Sequence, residues 1–328
     1  MHEFTAARWL PGGHAQTIWP ALFARRWPVG QAAPAWRWER WDTPDGDFID
    51  VAFGGASTLP ADAPWLVLFH GLEGSANSHY AQAMAWVAAQ RGWHMAVPHF
   101  RGCSGEVNRG PRAYHSGDVQ EVDWILRRLR ARSSRPLHVV GVSLGGNALA
   151  RWAGMQADKA AEVVQALAAV SAPLDLAAGG MALGQGLNRW IYTRMFLRTL
   201  VPKARVKWAQ FPGLFDRDAA VHARDLKEFD DAFTAPVHGF LDAHDYWRRA
   251  AAKPVLGSIA VPALLLNALD DPFVPACSLP GPGEVGPRVT LWQPPHGGHV
   301  GFAQGHWPGH VLGMPQAVTQ WLADSEQG

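Results

Sequence analysis

The pattern with the clearest chemical capacity is Gly-x-Ser-x-Gly, which places Ser143 between Gly141 and Gly145. An apolar, β-branched run precedes the serine and an alanine- and leucine-rich helical pattern follows it, which predicts a sharp strand-to-helix turn. In such a turn the backbone is strained and the serine hydroxyl projects above the sheet. Glycine at the flanking positions avoids collisions, and the N-terminus of the following helix contributes positive charge. We therefore interpret Ser143 as a nucleophile.

A serine hydroxyl is a poor nucleophile at neutral pH and needs a neighbouring base. The C-terminal region offers two candidates: His299, which lies in a glycine-rich turn, and His296. Imidazole titrates near pH ~6.5, so it can accept and return a proton. An acidic residue just past a late strand, either Asp270 or Asp271, would fix the imidazole tautomer and stabilise its charged form.

A second turn predicts where negative charge on a reacting oxygen would be stabilised. The apolar run 65–69 ends in His70-Gly71-Leu72, and the glycine allows backbone N–H groups to turn inward. A His-Gly turn after an early strand is a recurrent site for an oxyanion hole. We expect the backbone N–H groups of Leu72 and Leu144 to supply it.

Other chemistries have weaker support in the sequence. His296, His299 and His306 lack the helical His-Glu-x-x-His pattern and a third ligand type, so no metal site is predicted. No G-x-G-x-x-G follows the first parallel strand and no Walker loop occurs, so no cofactor is predicted. Cys103 has no adjacent base motif and is interpreted as a packed thiol. A catalytically silent binding scaffold is disfavoured by the complete set of serine, aspartate and histidine.

Composition limits the partners and the compartment. The 328 residues are 48% hydrophobic and carry a net charge of +1, and the arginine run 127–132 is interpreted as a solvated helix end, so no nucleic-acid partner is expected. The cysteines Cys103 and Cys277 give no disulfide framework and suggest a reducing, cytoplasmic location. The N-terminus resembles no signal peptide. No apolar run reaches the ~20 residues of a membrane-spanning helix.

The predicted strands and helices that must position these residues alternate along the chain, as in an α/β protein. Alternating residues and the turn Thr-Pro-Asp-Gly-Asp predict an antiparallel hairpin over 36–41 and 48–53. Strands alternating with helices then predict a mostly parallel sheet. The predicted strands cover 65–69, 94–98, the run before the serine, 163–170, 261–267 and 289–292. The predicted helices cover 78–91, 117–132, 148–155 and 315–322.

The predicted organisation is a core interrupted by an insertion. Residues 1–172 form the first part of the core and begin with an irregular arm over 1–34 that is rich in Pro, Gly and aromatic residues. Residues 173–252 interrupt the alternation of strands and helices and are interpreted as an inserted helical cap that encloses the substrate. Residues 253–328 complete the core. Within the cap, helices are predicted at 190–200 and 218–229.

Six segments together resemble the YheT-like branch of the α/β-hydrolases, which includes the ABHD-type lipid esterases and the yeast medium-chain ester synthases/esterases. They occur in the right order and span nearly the whole chain. They are Gly13-His14-Ala15-Gln16-Thr17, His70-Gly71-Leu72-Glu73-Gly74-Ser75, Phe100-Arg101-Gly102-Cys103-Ser104-Gly105, Gly141-Val142-Ser143-Leu144-Gly145-Gly146-Asn147, Leu266-Asn267-Ala268-Leu269-Asp270-Asp271-Pro272 and His296-Gly297-Gly298-His299-Val300-Gly301-Phe302.

This resemblance implies an α/β-hydrolase fold and a triad of Ser143, Asp271 and His299. Asp271 is favoured because Ala268-x-x-Asp271-Pro272 resembles the G-x-x-D-P turn of the family, in which case Asp270 caps a turn. The implied activity is hydrolysis of short- to medium-chain carboxylic esters, including lipid-like esters, through an acyl-enzyme. An acyltransferase that makes or exchanges medium-chain esters is the alternative, because it would use the same triad.

Overall fold

The computed structural model describes residues 4–55 and 59–325, which build one eight-stranded sheet. The strands are β1 (Arg37–Asp42), β2 (Phe48–Gly54), β3 (Trp65–Phe69), β4 (His94–Pro98), β5 (Leu137–Val142), β6 (Val164–Val170), β7 (Ala263–Leu266) and β8 (Val289–Trp292). Their order in the sheet is β1-β2-β4-β3-β5-β6-β7-β8. β1 and β2 pair antiparallel, β2 joins β4 antiparallel, and the remaining pairs are parallel. The predicted N-terminal hairpin and mostly parallel sheet are therefore confirmed.

Helices cover both faces of the sheet and fill the interval between β6 and β7. Two π-helical turns, Arg189–Thr193 and Asp230–Thr234, connect helices within that interval. The helices are α1 (Gly13–Leu22), α2 (His79–Gln90), α3 (Val119–Arg130), α4 (Leu144–Gln156), α5 (Leu176–Leu183), α6 (Gly186–Asn188), α7 (Arg194–Gln210), α8 (Arg217–Val221), α9 (Leu226–Phe229), α10 (Ala235–His238), α11 (Ala243–Ala250) and α12 (Gly313–Asp324).

The central strands are apolar runs because both of their faces are buried. One face packs against α3 and α4, with Ile125 and Trp152 fully buried in that core. The opposite face packs against α2 and α12, where Met84 and Val318 are fully buried. The result is a three-layer α/β/α arrangement in which the carboxyl ends of the parallel strands meet at one edge.

The prediction of an irregular arm over 1–34 is wrong for residues 13–22, which form α1. Consecutive glycines and Pro20 favour irregular structure in a sequence, and proline inside a helix removes one backbone hydrogen bond. Helix α1 forms nonetheless: the Gln16 carbonyl, four residues before Pro20, lies close to Gly301 in a C-terminal loop, and the Thr17 hydroxyl accepts a hydrogen bond from the His299 amide in the same loop. Tertiary contact therefore decides the conformation. Residues 1–3 of the predicted arm lie outside the described residues.

The single helix predicted over 218–229 is also wrong. α8 ends at Val221, and a new helix begins after Asp225, whose carboxylate accepts a hydrogen bond from the Glu228 amide at 2.9 Å. Aspartate at this position is a strong helix-start signal, and it interrupts a pattern that has suitable periodicity on both sides. The division into a core and a cap stays an interpretation. Within the described residues, no helix has the length and apolar character needed to cross a membrane.

Candidate active site

Ser143 lies at the turn between β5 and α4, at the carboxyl edge of the sheet. Its backbone has φ of 53° and ψ of −119°, a combination rarely adopted by a residue with a side chain. The turn is held by two neighbouring segments: the Ser143 amide donates to the Val170 carbonyl at 2.8 Å, and its carbonyl accepts from the Gly146 amide at 2.9 Å. This strained conformation points the hydroxyl away from the sheet.

The turn leaves no room for side chains on its glycines. A Cβ on Gly141 would lie 2.5 Å from the Gly145 carbonyl oxygen, and one on Gly145 would lie 2.5 Å from the His70 carbonyl oxygen. A Cβ on Gly71 would lie 3.1 Å from the Ser143 Cβ. The glycine spacing that singled out Ser143 in the sequence thus reflects close approach of β3, β5 and α4.

The three residues assigned to the triad by resemblance are brought together. His299 Nε2 lies 2.9 Å from Ser143 Oγ, and His299 Nδ1 lies 2.9 Å from Asp271 Oδ2 and 3.2 Å from Oδ1. Asp271 is 5% exposed and His299 is 8% exposed. Asp271 also accepts hydrogen bonds from the amides of Phe273 at 2.8 Å and Val274 at 3.3 Å. These amides fix the carboxylate, so the imidazole carries its proton on Nδ1 and Nε2 accepts from the serine hydroxyl.

Asp270 and His296, the alternative acid and base of the sequence analysis, contact each other instead. Asp270 Oδ1 accepts from the Gly298 amide at 2.9 Å, and Asp270 Oδ2 lies 3.2 Å from His296 Nδ1. Asp270 therefore ties the loop after β7 to the loop that carries His299. His296, His299 and His306 do not converge, and the described residues contain no cluster of three or more His, Cys, Asp or Glu side chains that could hold a metal ion.

Helix α1 holds both loops. The Thr17 hydroxyl accepts a hydrogen bond from the His299 amide at 2.9 Å and donates to the Gly13 carbonyl at 2.7 Å. A Cβ on Gly13 would lie 1.7 Å from the Asp270 carbonyl oxygen, and a Cβ on Gly298 would lie 2.7 Å from the Gln16 carbonyl carbon. The first helix of the chain is thus wedged between the aspartate turn and the histidine turn.

Two tyrosine hydroxyls flank the predicted oxyanion donor Leu72. The Gly71 amide donates to Tyr80 Oη at 2.9 Å, and the Glu73 amide donates to Tyr114 Oη at 3.0 Å. Burial raises the pKa of both phenols above the usual value, so both hydroxyls stay protonated. Within the described chain, the amides of Leu72 and Leu144 donate to no other residue. Both residues line the cavity beside Ser143.

Two buried histidines form hydrogen bonds with backbone groups in and around the same turn. His70 Nε2 accepts from the Phe100 amide at 3.1 Å and its Nδ1 donates to the Gly71 carbonyl at 2.8 Å. His99 Nε2 accepts from the Ala76 amide at 3.0 Å and its Nδ1 donates to the Asp50 carbonyl at 3.2 Å. Burial lowers the pKa of His70 to about 3 and that of His99 to about 4. Both rings are therefore neutral, as their acceptor contacts require.

The hydroxyl of Ser143 opens into a largely apolar cavity of about 150 Å³. Ser143, His299 and the turn at Leu72 form one wall. Side chains from the helices between β6 and β7 form much of the remainder, and they include Leu176, Leu183, Phe196, Leu200, Phe229, Phe233 and Trp247. The cavity is therefore suited to an apolar group attached to a polar reacting centre.

Polar groups on the cavity wall are paired internally. Lys203 on α7 donates to Glu73 Oε1 at 2.7 Å, which links the turn after β3 to α7. Lys207, one turn further, donates to the carbonyls of Asn108 and Gly110 at 2.8 and 2.7 Å. Burial raises the pKa of the nearby Cys103 to about 12, so this residue is a thiol, which agrees with its interpretation as a packed side chain.

Sequence reasoning missed the tyrosines. The chain has only four. Tyr80 and Tyr114 accept hydrogen bonds from the amides on either side of Leu72, Tyr246 lines the cavity and accepts from the Ser116 amide at 2.9 Å, and the Tyr192 hydroxyl lies 3.1 Å from His14 Nδ1. In a chain with 17 tryptophans, the scarcity of tyrosine was an available signal. Phe273 was missed as well; its ring stacks on His299 with centroids 4.0 Å apart.

Comparisons with known proteins match the chain to hydrolases. Residues 64–305 match the family model described as the alpha/beta hydrolase fold. The chain is 40% identical to the putative esterase YheT of Escherichia coli, over 98% of this chain and 93% of that protein. It is 28% identical to human phospholipase ABHD3, over 96% and 77% of the two chains. It is 26% identical to the medium-chain fatty acid ethyl ester synthase/esterase 2 of Saccharomyces cerevisiae, over 74% and 58%.

The buried histidines predict acid sensitivity. Below the usual pKa near 6.5 the unfolded chain binds protons that His70 and His99 exclude when folded. The free energy of unfolding should therefore fall as the pH drops from 6.5 toward 4, by about 1.4 kcal/mol per pH unit for each ring. Urea unfolding at a series of pH values measures this slope.

The variant His99→Gln keeps a donor and an acceptor at this position and should reduce the slope by about one histidine's share, roughly 1.4 kcal/mol per pH unit. His306 is exposed, so His306→Gln is the matched control and should leave the slope as in the parent. Equal slopes for His99→Gln and the parent chain would contradict the assignment.

Proposed function

The chain belongs to the α/β-hydrolase family, whose members include esterases, and on this premise we propose that it is a serine esterase for short- to medium-chain acyl esters. The observation that carries the proposal is the hydrogen-bonded series Asp271–His299–Ser143, with contacts of 2.9 Å on each side of the imidazole. A nucleophile, a base and a group that orients the base are what acyl transfer to serine requires.

In the proposed reaction, Ser143 Oγ attacks the ester carbonyl while its proton passes to His299 Nε2. Asp271 stabilises the resulting imidazolium. The amides of Leu72 and Leu144 bind the negative oxygen of the tetrahedral intermediate, and each such donor is typically worth ~10²–10³ in rate. Return of the proton to the departing alcohol leaves an acyl group on Ser143. Water then attacks the acyl group while His299 takes its proton. The bond to Ser143 Oγ breaks, His299 returns the proton to that oxygen, and the acid is released.

The acyl group is proposed to occupy the cavity beside Ser143. Its apolar walls from α5, α7 and α9 suit a hydrocarbon chain, and its volume of about 150 Å³ favours short to medium lengths. On this view the helices between β6 and β7 act as a cap that keeps bulk water from the reacting centre. The same geometry would serve an acyltransferase in which an alcohol replaces water, and the yeast relative is named as both an ethyl ester synthase and an esterase.

An ester panel tests the proposal. p-Nitrophenyl esters from acetate to longer acyl chains should be hydrolysed with kcat/KM rising until the acyl chain fills the cavity, because each buried methylene adds apolar contact. Ser143→Ala should abolish turnover, and a fluorophosphonate should label the parent chain but not this variant. Product analysis with added ethanol separates free acid from ethyl ester. Absence of both labelling and turnover in the folded parent chain would reject the esterase proposal.

The two adjacent aspartates should differ sharply. Asp271→Asn should lower kcat by about 10⁴-fold, because the amide no longer holds the required imidazole tautomer. Asp270→Asn keeps an oxygen that can accept from the Gly298 amide, and it loses the negative charge on this bond and on the contact with His296 Nδ1. The expected loss for Asp270→Asn is about tenfold or less. Steady-state kinetics on a water-soluble ester measure both; a loss for Asp270→Asn equal to that of Asp271→Asn would reverse the assignment.

Thr17 should act as a positioning residue. Thr17→Val removes the acceptor for the buried His299 amide, so the imidazole is less firmly held and kcat should fall about 10- to 100-fold with KM little changed. Thr17→Ser retains the hydroxyl and should restore most of the rate. The measurement is kcat and KM at temperatures where unfolding experiments show both variants folded. A purely structural role predicts lowered stability with unchanged kcat.

A further inference from the structure

In one stretch of the chain, residues 176–215, all charged side chains are positive. Between Asp175 and Asp216 no acidic residue occurs, whereas the whole chain has nearly equal numbers of acids and bases. The basic residues of the stretch are Arg189, Arg194, Arg198, Lys203, Arg205 and Lys207. This segment contains α6, the π-helical turn Arg189–Thr193 and α7. It is a strongly cationic helical unit on a molecule whose net charge is only +1.

The unit has two different faces. Phe196, Leu200, Lys203 and Lys207 turn inward and line the cavity of Ser143. The opposite side is here called the outer face. Its residues recur at helical spacing and are exposed. It consists of Leu187, Trp190, Ile191, Arg194, Met195, Arg198, Arg205 and Val206.

The outer face exposes large apolar side chains. Leu187 and Trp190 are each 62% exposed, and Met195 is 52% exposed. The Arg194 guanidinium lies 4.6 Å from the centre of the Trp190 ring, so charge and apolar surface are interleaved. One shallow surface depression is lined by Trp190, Ile191, Arg194, Met195 and Arg198. Exposed apolar side chains grouped in this way mark an interaction surface.

The arginines of the outer face are available for a partner. Arg194, Arg198 and Arg205 form no ion pair with any residue that the structure describes. The neighbouring acids are already engaged: Asp218 pairs with Arg217, Glu228 pairs with Arg224, and Asp216 caps α8. Arg189 is the exception at the edge of the patch, since its charge acts on Glu228. The face therefore presents uncompensated positive charge.

We infer that the outer face docks on an anionic lipid surface. Arginine combined with Trp, Leu, Ile and Met along one side of a helix is the pattern of helices that lie in a membrane interface. Two copies of the chain would bring uncompensated arginines together, which disfavours self-association through this face. A nucleic acid would satisfy the arginines and leave Leu187, Ile191 and Met195 against a polar backbone.

Docking would place the cavity close to the lipid. The inner and outer faces belong to one continuous helical unit, so a docked lipid surface would lie about one helix thickness from the residues that line the cavity. The docking does not require the proposed esterase reaction. That reaction decides only what a docked chain would do, which is to cleave an ester whose acyl group comes from the bilayer.

The test measures binding without turnover. The full chain carrying Ser143→Ala is co-sedimented with vesicles of phosphatidylcholine alone and with vesicles that also contain phosphatidylglycerol. The chain should partition onto the anionic vesicles, and added salt should weaken binding because exposed charges are screened. Adding Arg194→Gln and Arg198→Gln should lower the partition coefficient about 30-fold, since each basic residue contributes about 1 kcal/mol at such a surface.

Matched controls come from the opposite edge of the sheet. Arg135 and Arg288 are exposed and precede the parallel strands β5 and β8, away from the carboxyl edge that carries Ser143. Arg135→Gln with Arg288→Gln removes the same charge and should preserve binding. Trp190→Ser should weaken binding several-fold, whereas Trp307→Ser, at a residue 70% exposed, should not.

Three results would overturn the inference: no partition onto anionic vesicles, equal loss in the control double variant, or sedimentation showing that the outer face mediates a dimer. Hydrolysis of a water-soluble ester by chains with intact Ser143 is measured in parallel and should be unchanged by Arg194→Gln with Arg198→Gln. Failure of that hydrolysis in the parent chain would count against the proposed esterase, while vesicle binding would stand as a separate result.

Discussion

The close approach of three backbone segments around Ser143 is the constraint on which the site depends. The end of β3, the end of β5 and the first turn of α4 come together so tightly that a methyl group at Gly141 or Gly145 would overlap a carbonyl oxygen. Only with these segments in contact can the serine adopt φ of 53° and lift its hydroxyl into the cavity. Strain of ~1–3 kcal/mol at such a residue persists because the packed sheet and helices on both sides leave the turn no alternative.

The remaining site groups lie on loops, so their precision must come from contacts outside the sheet. Neutral side chains supply many of these contacts. A backbone amide near the turn at Leu72 donates a hydrogen bond to each of four side chains: His70, His99, Tyr80 and Tyr114. Burial keeps these groups uncharged by shifting their pKa values. In the proposed reaction, a charged group in these places would alter the electric field at the reacting oxygen, whereas neutral donors and acceptors fix the geometry without opposing the developing charge.

The sequence was sufficient for the parts of the molecule governed by local pattern. The hairpin, the strands and the Gly-x-Ser-x-Gly turn follow from periodicity and from the absence of side chains at defined positions, and both are visible in a single sequence. Helix α1 was not predictable in this way, because Gly13 and Pro20 argue against a helix unless the loop at Gly301 is already in place. The same limit applies to the site: spacing alone left Asp270 and Asp271 open, and only three-dimensional contacts separate the residue that meets His299 from the one that meets Gly298.

Helix α7 shows why a pattern rich in aromatic and arginine residues was harder to interpret than an ordinary amphipathic helix. Both of its sides carry apolar and cationic residues: Phe196 and Lys203 face the cavity, while Met195 and Arg198 face solvent. A hydrophobicity period therefore cannot identify the inner side. What distinguishes the two sides is charge pairing, since Lys203 is held by Glu73 whereas Arg198 has no acidic partner in the described chain. A cation that is neutralised inside the fold holds its neighbours in position, and one left unpaired on an apolar surface is available to a binding partner, so ion-pair contacts rather than residue type separate the two kinds of cation.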